Sequence, residues 1–193
     1  ELLGDEQSGQ IHEVGFTLYT ELLERAVRAL KSGKAVDLEA PLDHGPEIDL
    51  HMPALLPADY IDDVHLRLTL YKRIASCKIE EELKDLQVEM IDRFGLLPPA
   101  AKTLFRIAEL KLKASALGVR KIEAGPAGGR ISFIDTTTVD PGTVIQMVQQ
   151  QPQHYKLDGS NRLRFMLELE DREKRFTAVE TLLEKLDKHA AVA

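Results

Sequence analysis

The stretch Tyr155-Lys156-Leu157-Asp158-Gly159-Ser160-Asn161-Arg162-Leu163-Arg164-Phe165-Met166-Leu167-Glu168-Leu169 decides the fold class. Tyr155 to Leu157 is a short strand-like run, and Asp158-Gly159-Ser160-Asn161 carries turn chemistry. Beyond the turn, Leu163, Phe165, Leu167 and Leu169 alternate with Arg162, Arg164, Met166 and Glu168. Successive strand side chains point to opposite faces, so this pattern predicts a hairpin whose second strand, running through Leu169, buries one face.

Working outward, the period changes at Gly118 from helical to alternating. Residues 119–124 and 129–135 read as two strands around the turn Gly125-Pro126-Ala127-Gly128. Residues 143–150 read as a short helix after Asp140-Pro141-Gly142. Phe176, Val179, Leu182, Leu183 and Leu186 mark a final helix. The second half is therefore strand–strand–helix–strand–strand–helix. That is an α+β layout, a small antiparallel sheet in a ββαββα arrangement with helices on one face.

The first half is helical. Leu18, Tyr19, Leu22, Leu23, Ala26, Val27 and Leu30 form a stripe over 14–32, closed by Gly33. Pro41, Gly45, Pro46, Pro53 and Pro57 then exclude a helix, and 47–52 is the one strand candidate in this linker. Three helices follow, over about 63–76, 79–94 and 98–118. The second stops at Gly95, and the third opens on Pro98-Pro99, where a missing N–H does no harm. The predicted organisation is an N-terminal piece 1–33, a linker 34–60 and a domain 61–193.

The composition fits a globular chain, with 44% apolar and 30% charged residues. No apolar run is long enough to span a bilayer. The single cysteine, Cys77, excludes an internal disulfide and fits a reducing cytosol, so a cytoplasmic location is expected. A net charge of −7 and the absence of Trp argue against a surface built mainly for nucleic acid.

The chemistry-bearing patterns are few. There is no phosphate-binding glycine loop, and the glycines at 125, 128 and 129 sit between two strand patterns, which reads as a hairpin turn. The six histidines show no metal-ligand spacing among themselves or with Cys77. No nucleophile–base constellation can be argued from spacing, so this chain by itself is not expected to be an enzyme or to hold a cofactor or metal.

Two charged features remain. On the second helix the apolar stripe Ile79, Leu83, Leu86, Met90 and Phe94 is matched by an acidic row: Glu81, Asp85 and Glu89 at four-residue steps, then Asp92. Like charges at that spacing weaken an isolated helix by a few tenths of a kcal/mol per pair, roughly. Lys78 and Lys84 relieve only part of this. The row is either a solvated helix face or a docking surface for a basic partner, with arginine the better match for carboxylates. On and just after the third helix, Lys102, Arg106, Lys111, Lys113, Arg120 and Lys121 are the best candidates for phosphate contact. They do not share one narrow stripe on what reads as the central core helix.

The first sixteen residues have no initiator Met and no leader, and read as the tail of something larger cut just before a helix. Leu2-Leu3-Gly4-x-x-Gln7-Ser8-Gly9, followed by Val14-Gly15-Phe16, resembles the second half of the translocation motif of bacterial transcription-repair coupling factors. A shorter form is shared with RecG-type branched-DNA translocases. The resemblance to the coupling factors extends through Asp92-Arg93-Phe94-Gly95-Leu96-Leu97-Pro98-Pro99 and covers most of the chain.

That resemblance implies that residues 1–33 are the end of a motor lobe with its exit helix. Gln7 would be the remnant of a motif that couples ATP hydrolysis to movement; its upstream arginine partner lies before the chain begins. It implies that 61–193 is a C-terminal regulatory domain. Such a domain packs on an N-terminal module resembling UvrB, hides the surface that recruits UvrA, and restrains the motor. The parent is then an ATP- and magnesium-dependent DNA translocase that displaces stalled RNA polymerase and recruits excision repair, with DNA held by the motor. In this light Glu81, Asp85, Glu89 and Asp92 are expected to face arginines of the UvrB-like module, with Glu89 at the centre. An auxiliary duplex-DNA-binding module and a purely structural cap are the alternatives.

Overall fold

The computed structural model describes residues 45–187. The exit helix, the first part of the linker and Gln7 lie outside the described residues. The element order is β1 (Glu47–Asp49), α1 (Val64–Ser76), α2 (Glu80–Phe94), α3 (Pro99–Ala116), β2 (Val119–Gly125), β3 (Gly128–Phe133), α4 (Pro141–Gln150), β4 (Tyr155–Leu157), β5 (Arg162–Phe165) and α5 (Arg172–Leu186).

Local chemistry sets most boundaries. The Asp63 carboxylate accepts from the N–H groups of His65 and Leu66 at 2.8 and 3.1 Å, capping α1. Asp140 and Asp171 do the same for α4 and α5. Gly95, at φ +87°, ends α2, with its N–H on the Ile91 carbonyl at 2.9 Å. Pro99 supplies the preset φ at the first turn of α3.

The sheet order is β1-β2-β3-β5-β4. The four strands of the ββαββα half pair antiparallel, as predicted. The expectation of a wholly antiparallel sheet is corrected at one edge. The linker strand β1 joins β2 in parallel, with Glu47, Ile48 and Asp49 opposite Lys121, Ile122 and Glu123. A parallel pair needs a long crossover, and α1, α2 and α3 supply it.

A second correction concerns β5, which ends at Phe165 rather than Leu169. Its partner β3 begins at Gly128, so the ladder runs out. The chain continues past the β2–β3 turn, where the Leu169 N–H bonds the Pro126 carbonyl at 2.6 Å and Leu169 is buried.

The core has two clusters, and α3 serves both. Ala101 and Phe105 pack with Leu70, Leu83, Leu86 and Met90 of the other two helices. Ile107, Leu110 and Ala114 pack with Ile122, Ile131, Leu163 and the inner face of α5. The predicted role of this helix as the centre of the domain is thus met.

Arg175 is the one buried charged side chain among the described residues, at 4% exposure. Its guanidinium has no carboxylate partner. It donates instead to the carbonyls of Leu50 at 2.8 Å and of Leu169 at 3.0 and 3.2 Å, joining the exit of β1 to the segment before α5.

Candidate docking site

Helix α2 carries the acidic row. Its first turn holds Glu80, Glu81 and Glu82, which suit the positive end of the helix dipole. Ile79 at the cap offers no side-chain bond. The Glu82 carboxylate reaches back to the Lys78 N–H at 2.6 Å instead. Leu83, Leu86 and Met90 are buried as predicted, Phe94 is half-buried, and Ile79 is exposed at the helix entrance. At the far end the Tyr60 hydroxyl donates to the Gly95 carbonyl at 2.9 Å, and its ring meets Phe94 edge-on.

The four predicted acids fall into two groups. At about 100° per residue, positions 81, 85, 88 and 92 lie within about 60° of one another, so they form one ridge. Glu81, Asp85 and Asp92 on it are exposed, and among the described residues none has an ion-pair partner. Two exposed apolar side chains accompany them. Val88 (57% exposed) sits on the ridge, and Leu96 (84% exposed) follows just beyond Gly95. Sequence reasoning assigned neither to this surface; their signal was an apolar residue interrupting an acidic row.

Glu89 sits apart. It turns toward α1, where Arg73 donates to both its oxygens at 2.7 and 2.5 Å, and Arg93 adds a third bond at 3.0 Å. These two guanidinium groups hold the Glu89 carboxyl down at about 2, from an ordinary 4.5. The same hydrogen bonds push Arg73 up. Arg73, Cys77, Glu82, Asp85 and Glu89 line one shallow groove between α1 and α2. In it the Cys77 thiol, donating to the Arg73 carbonyl at 3.3 Å, is raised mainly by burial. Lys84 pairs with Glu80 at 3.9 Å and leaves the ridge acids alone.

The basic residues proposed for phosphate contact are not gathered into a patch. Arg106 grips Glu173 of α5 at 2.7 and 2.9 Å and lies 3.7 Å over the Phe176 ring. Lys113 pairs with Glu180 of α5 at 3.2 Å. Lys121 bridges Glu47 and Glu123 at 3.0 Å each. Lys111 also has a partner. These cations fasten α5 and β1 to the rest of the domain. A different basic row went unnoticed in the sequence. On the open sheet face Arg130 stands opposite Arg164, and Arg164 opposite Lys156, across three strands. Arg130 also bonds Glu123. Acids at Asp49, Glu123 and Asp158 border this row, so the face is mixed in sign.

Among the described residues, no group of three His, Cys, Asp or Glu could hold a metal, and no helix is long and apolar enough to cross a membrane.

With this geometry in place, the chain was compared with known proteins. The TRCF domain family model matches residues 50–144, from the end of β1 into α4. The transcription-repair-coupling factor of Escherichia coli (strain K12) is 50% identical over 98% of this chain. That of Haemophilus influenzae is 49% identical over 95%. The chain belongs to the transcription-repair coupling factor family. It spans 17% and 16% of the lengths of those two relatives. A crystal structure of the C-terminal domain of a transcription-repair coupling factor superposes with a TM-score of 0.58, at 24% identity, covering 74% of this chain and 94% of that one. That likeness bears out the α+β fold. The acidic ridge of α2 and the Arg73–Glu89–Arg93 cluster both fall inside the segment that the family model matches.

Proposed function

We propose that residues 61–193 act as a non-catalytic, autoinhibitory docking domain of an ATP- and magnesium-dependent DNA translocase. The parent removes stalled RNA polymerase at lesions in the bacterial cytoplasm and recruits excision repair. The domain docks on the parent's N-terminal UvrB-like module, hides its UvrA-binding surface and restrains the motor. Gln7, as the remnant of the translocation motif, belongs to the motor and has no catalytic role in this domain.

The observation that carries this reading is the α2 ridge. It sets three unpaired carboxylates, Glu81, Asp85 and Asp92, beside the exposed apolar Val88 and Leu96. A purely solvated helix face has no use for the two apolar side chains. Well-packed interfaces place apolar anchors within a polar rim. Arginine on the partner is the natural complement to the acids.

The contact need not be tight. Within one chain the effective concentration of the two surfaces is of order mM, so an intrinsic dissociation constant near 10 µM keeps the mask closed about 99% of the time. Loss of one or two pairs would open it, as a switch triggered by polymerase engagement requires.

The test is charge reversal of the ridge in the full-length parent, Asp85→Lys with Asp92→Lys, with UvrA binding measured in the absence of polymerase. Binding should rise at least tenfold, given about 2–5 kcal/mol for removing one member of a desolvated pair. UvrA binding as weak as in the unsubstituted protein rejects the mask. Deleting 61–193 separates the alternatives. A structural cap predicts lost ATPase, whereas a mask predicts UvrA binding and a faster motor.

A further inference from the structure

Glu89 was expected to stand at the centre of the docking row, yet its two oxygens already accept three hydrogen bonds from Arg73 and Arg93. A carboxylate held in a bidentate fork plus a third bond has little left to offer a partner's guanidinium. The cluster of two arginines and one glutamate keeps one residual positive charge. It is therefore the least attractive point on α2 for a basic surface.

The same groove shows what the cluster prevents. Arg73 lines it together with Asp85, and Arg93 is the sequence neighbour of Asp92. With Glu89 absent, both guanidinium groups are released next to the two acids of the ridge. Opposite charges within a few ångströms attract strongly enough to pair, and long arginine side chains have the reach. The ridge would then lose its free carboxylates and gain cations.

We infer that Glu89 serves the docking face as a positioning residue: it neutralises and immobilises Arg73 and Arg93, so that Asp85 and Asp92, with Glu81, remain free to meet the partner's cations. This deepens the masking proposal and rests on it. A residue that touches the partner and one that restrains two neighbours give the same phenotype when substituted singly. They differ when the neighbours are removed as well.

The experiment uses the full-length parent and UvrA binding without polymerase. Four variants are compared: Glu89→Ala, Glu89→Gln, the pair Arg73→Ala/Arg93→Ala, and the triple variant lacking all three side chains. Glu89→Ala and Glu89→Gln should each raise UvrA binding about tenfold, the scale of a single close charge coupling. Glu89→Gln preserves shape, and its melting temperature checks that folding is intact. The arginine pair alone should leave UvrA hidden, and the triple variant should return binding to within about threefold of the unsubstituted protein. A triple variant as exposed as Glu89→Ala overturns the inference, because Glu89 then contacts the partner itself. UvrA exposed by the arginine pair alone also overturns it. Failure of the underlying reading is separately visible, since then the Asp85→Lys/Asp92→Lys protein would also keep UvrA hidden.

Discussion

Arg73 of α1 holds both carboxylate oxygens of Glu89 on α2, at 2.7 and 2.5 Å, across sixteen residues of sequence. With Arg93 it keeps this carboxyl at about 2, below the ordinary 4.5. The sign of the linkage follows. A depressed folded-state value adds stability above the unfolded value, and that stability is lost as pH falls through the folded one. Glu89→Gln should therefore melt lower than the unsubstituted chain at pH 6. The gap should narrow below about 4.5 and close near 2. The pair is exposed to solvent, so the gap should also shrink with salt. Melting curves across pH 2–6 at two salt concentrations check both statements.

Arg175 is the stability residue of the sheet side. Its buried guanidinium satisfies the carbonyls of Leu50 and Leu169, which join β1 and the segment before α5. Arg175→Met retains bulk but leaves those acceptors without their donor, at about 1–3 kcal/mol for each orphaned group. Urea unfolding of the 193-residue chain should show a loss of about 2–4 kcal/mol. Arg175→Lys should recover only part of it, because one ammonium cannot reach carbonyls on both sides.

The β2–β3 hairpin depends on Gly129. A methyl group there would lie 2.1 Å from the Glu123 carbonyl oxygen and 2.5 Å from the Phe165 ring. Backbone must move to admit it. Gly129→Ala should cost more than about 2 kcal/mol, in the upper range for overpacking. Gly95→Ala has no atom within 4 Å and should cost only the strain of a positive φ, about 1 kcal/mol. The ordering of the two unfolding midpoints tests this.

The elements that follow local rules were legible in the sequence. Asp63, Gly95 and Pro99 mark helix ends because caps, positive φ and proline act within a few residues. The alternation from Leu163 to Phe165 gave a true strand for the same reason. Its extension to Leu169 went wrong because apolar alternation reports burial, and a segment crossing a hairpin turn can bury Leu169 without any ladder. The parallel seat of β1 depends on a partner more than seventy residues away, which periodicity does not encode. The acidic row was legible as a helix face. The withdrawal of Glu89 from it was not, because Arg73 lies on another helix.

The same non-locality governs the basic residues of α3. Arg106 is bound to Glu173 and stacked on Phe176, so it is a packing residue. Arg106→Ala should lower stability by about 1 kcal/mol, the scale of a cation–π contact together with an exposed pair. It should leave duplex-DNA affinity of the chain unchanged at low salt. A drop in DNA affinity without a drop in stability would favour the nucleic-acid reading instead.

Leu96 separates docking from folding most sharply. It is 84% exposed, follows the positive-φ Gly95 and contributes to neither core cluster. Its neighbour Leu97 is buried at 4% exposure, so the turn has one apolar side chain for the core and one for the outside. Leu96→Ser should therefore leave the unfolding midpoint of the 193-residue chain within about 0.5 kcal/mol, as surface changes do. In the full-length parent the same substitution should raise UvrA binding without polymerase, because an anchor buried on docking contributes about 1.5–3 kcal/mol. Leu97→Ser should do the reverse in order of severity, lowering stability first. If Leu96→Ser leaves both stability and UvrA binding unchanged, the ridge works by charge alone, and Asp85 and Asp92 must account for the whole of the contact.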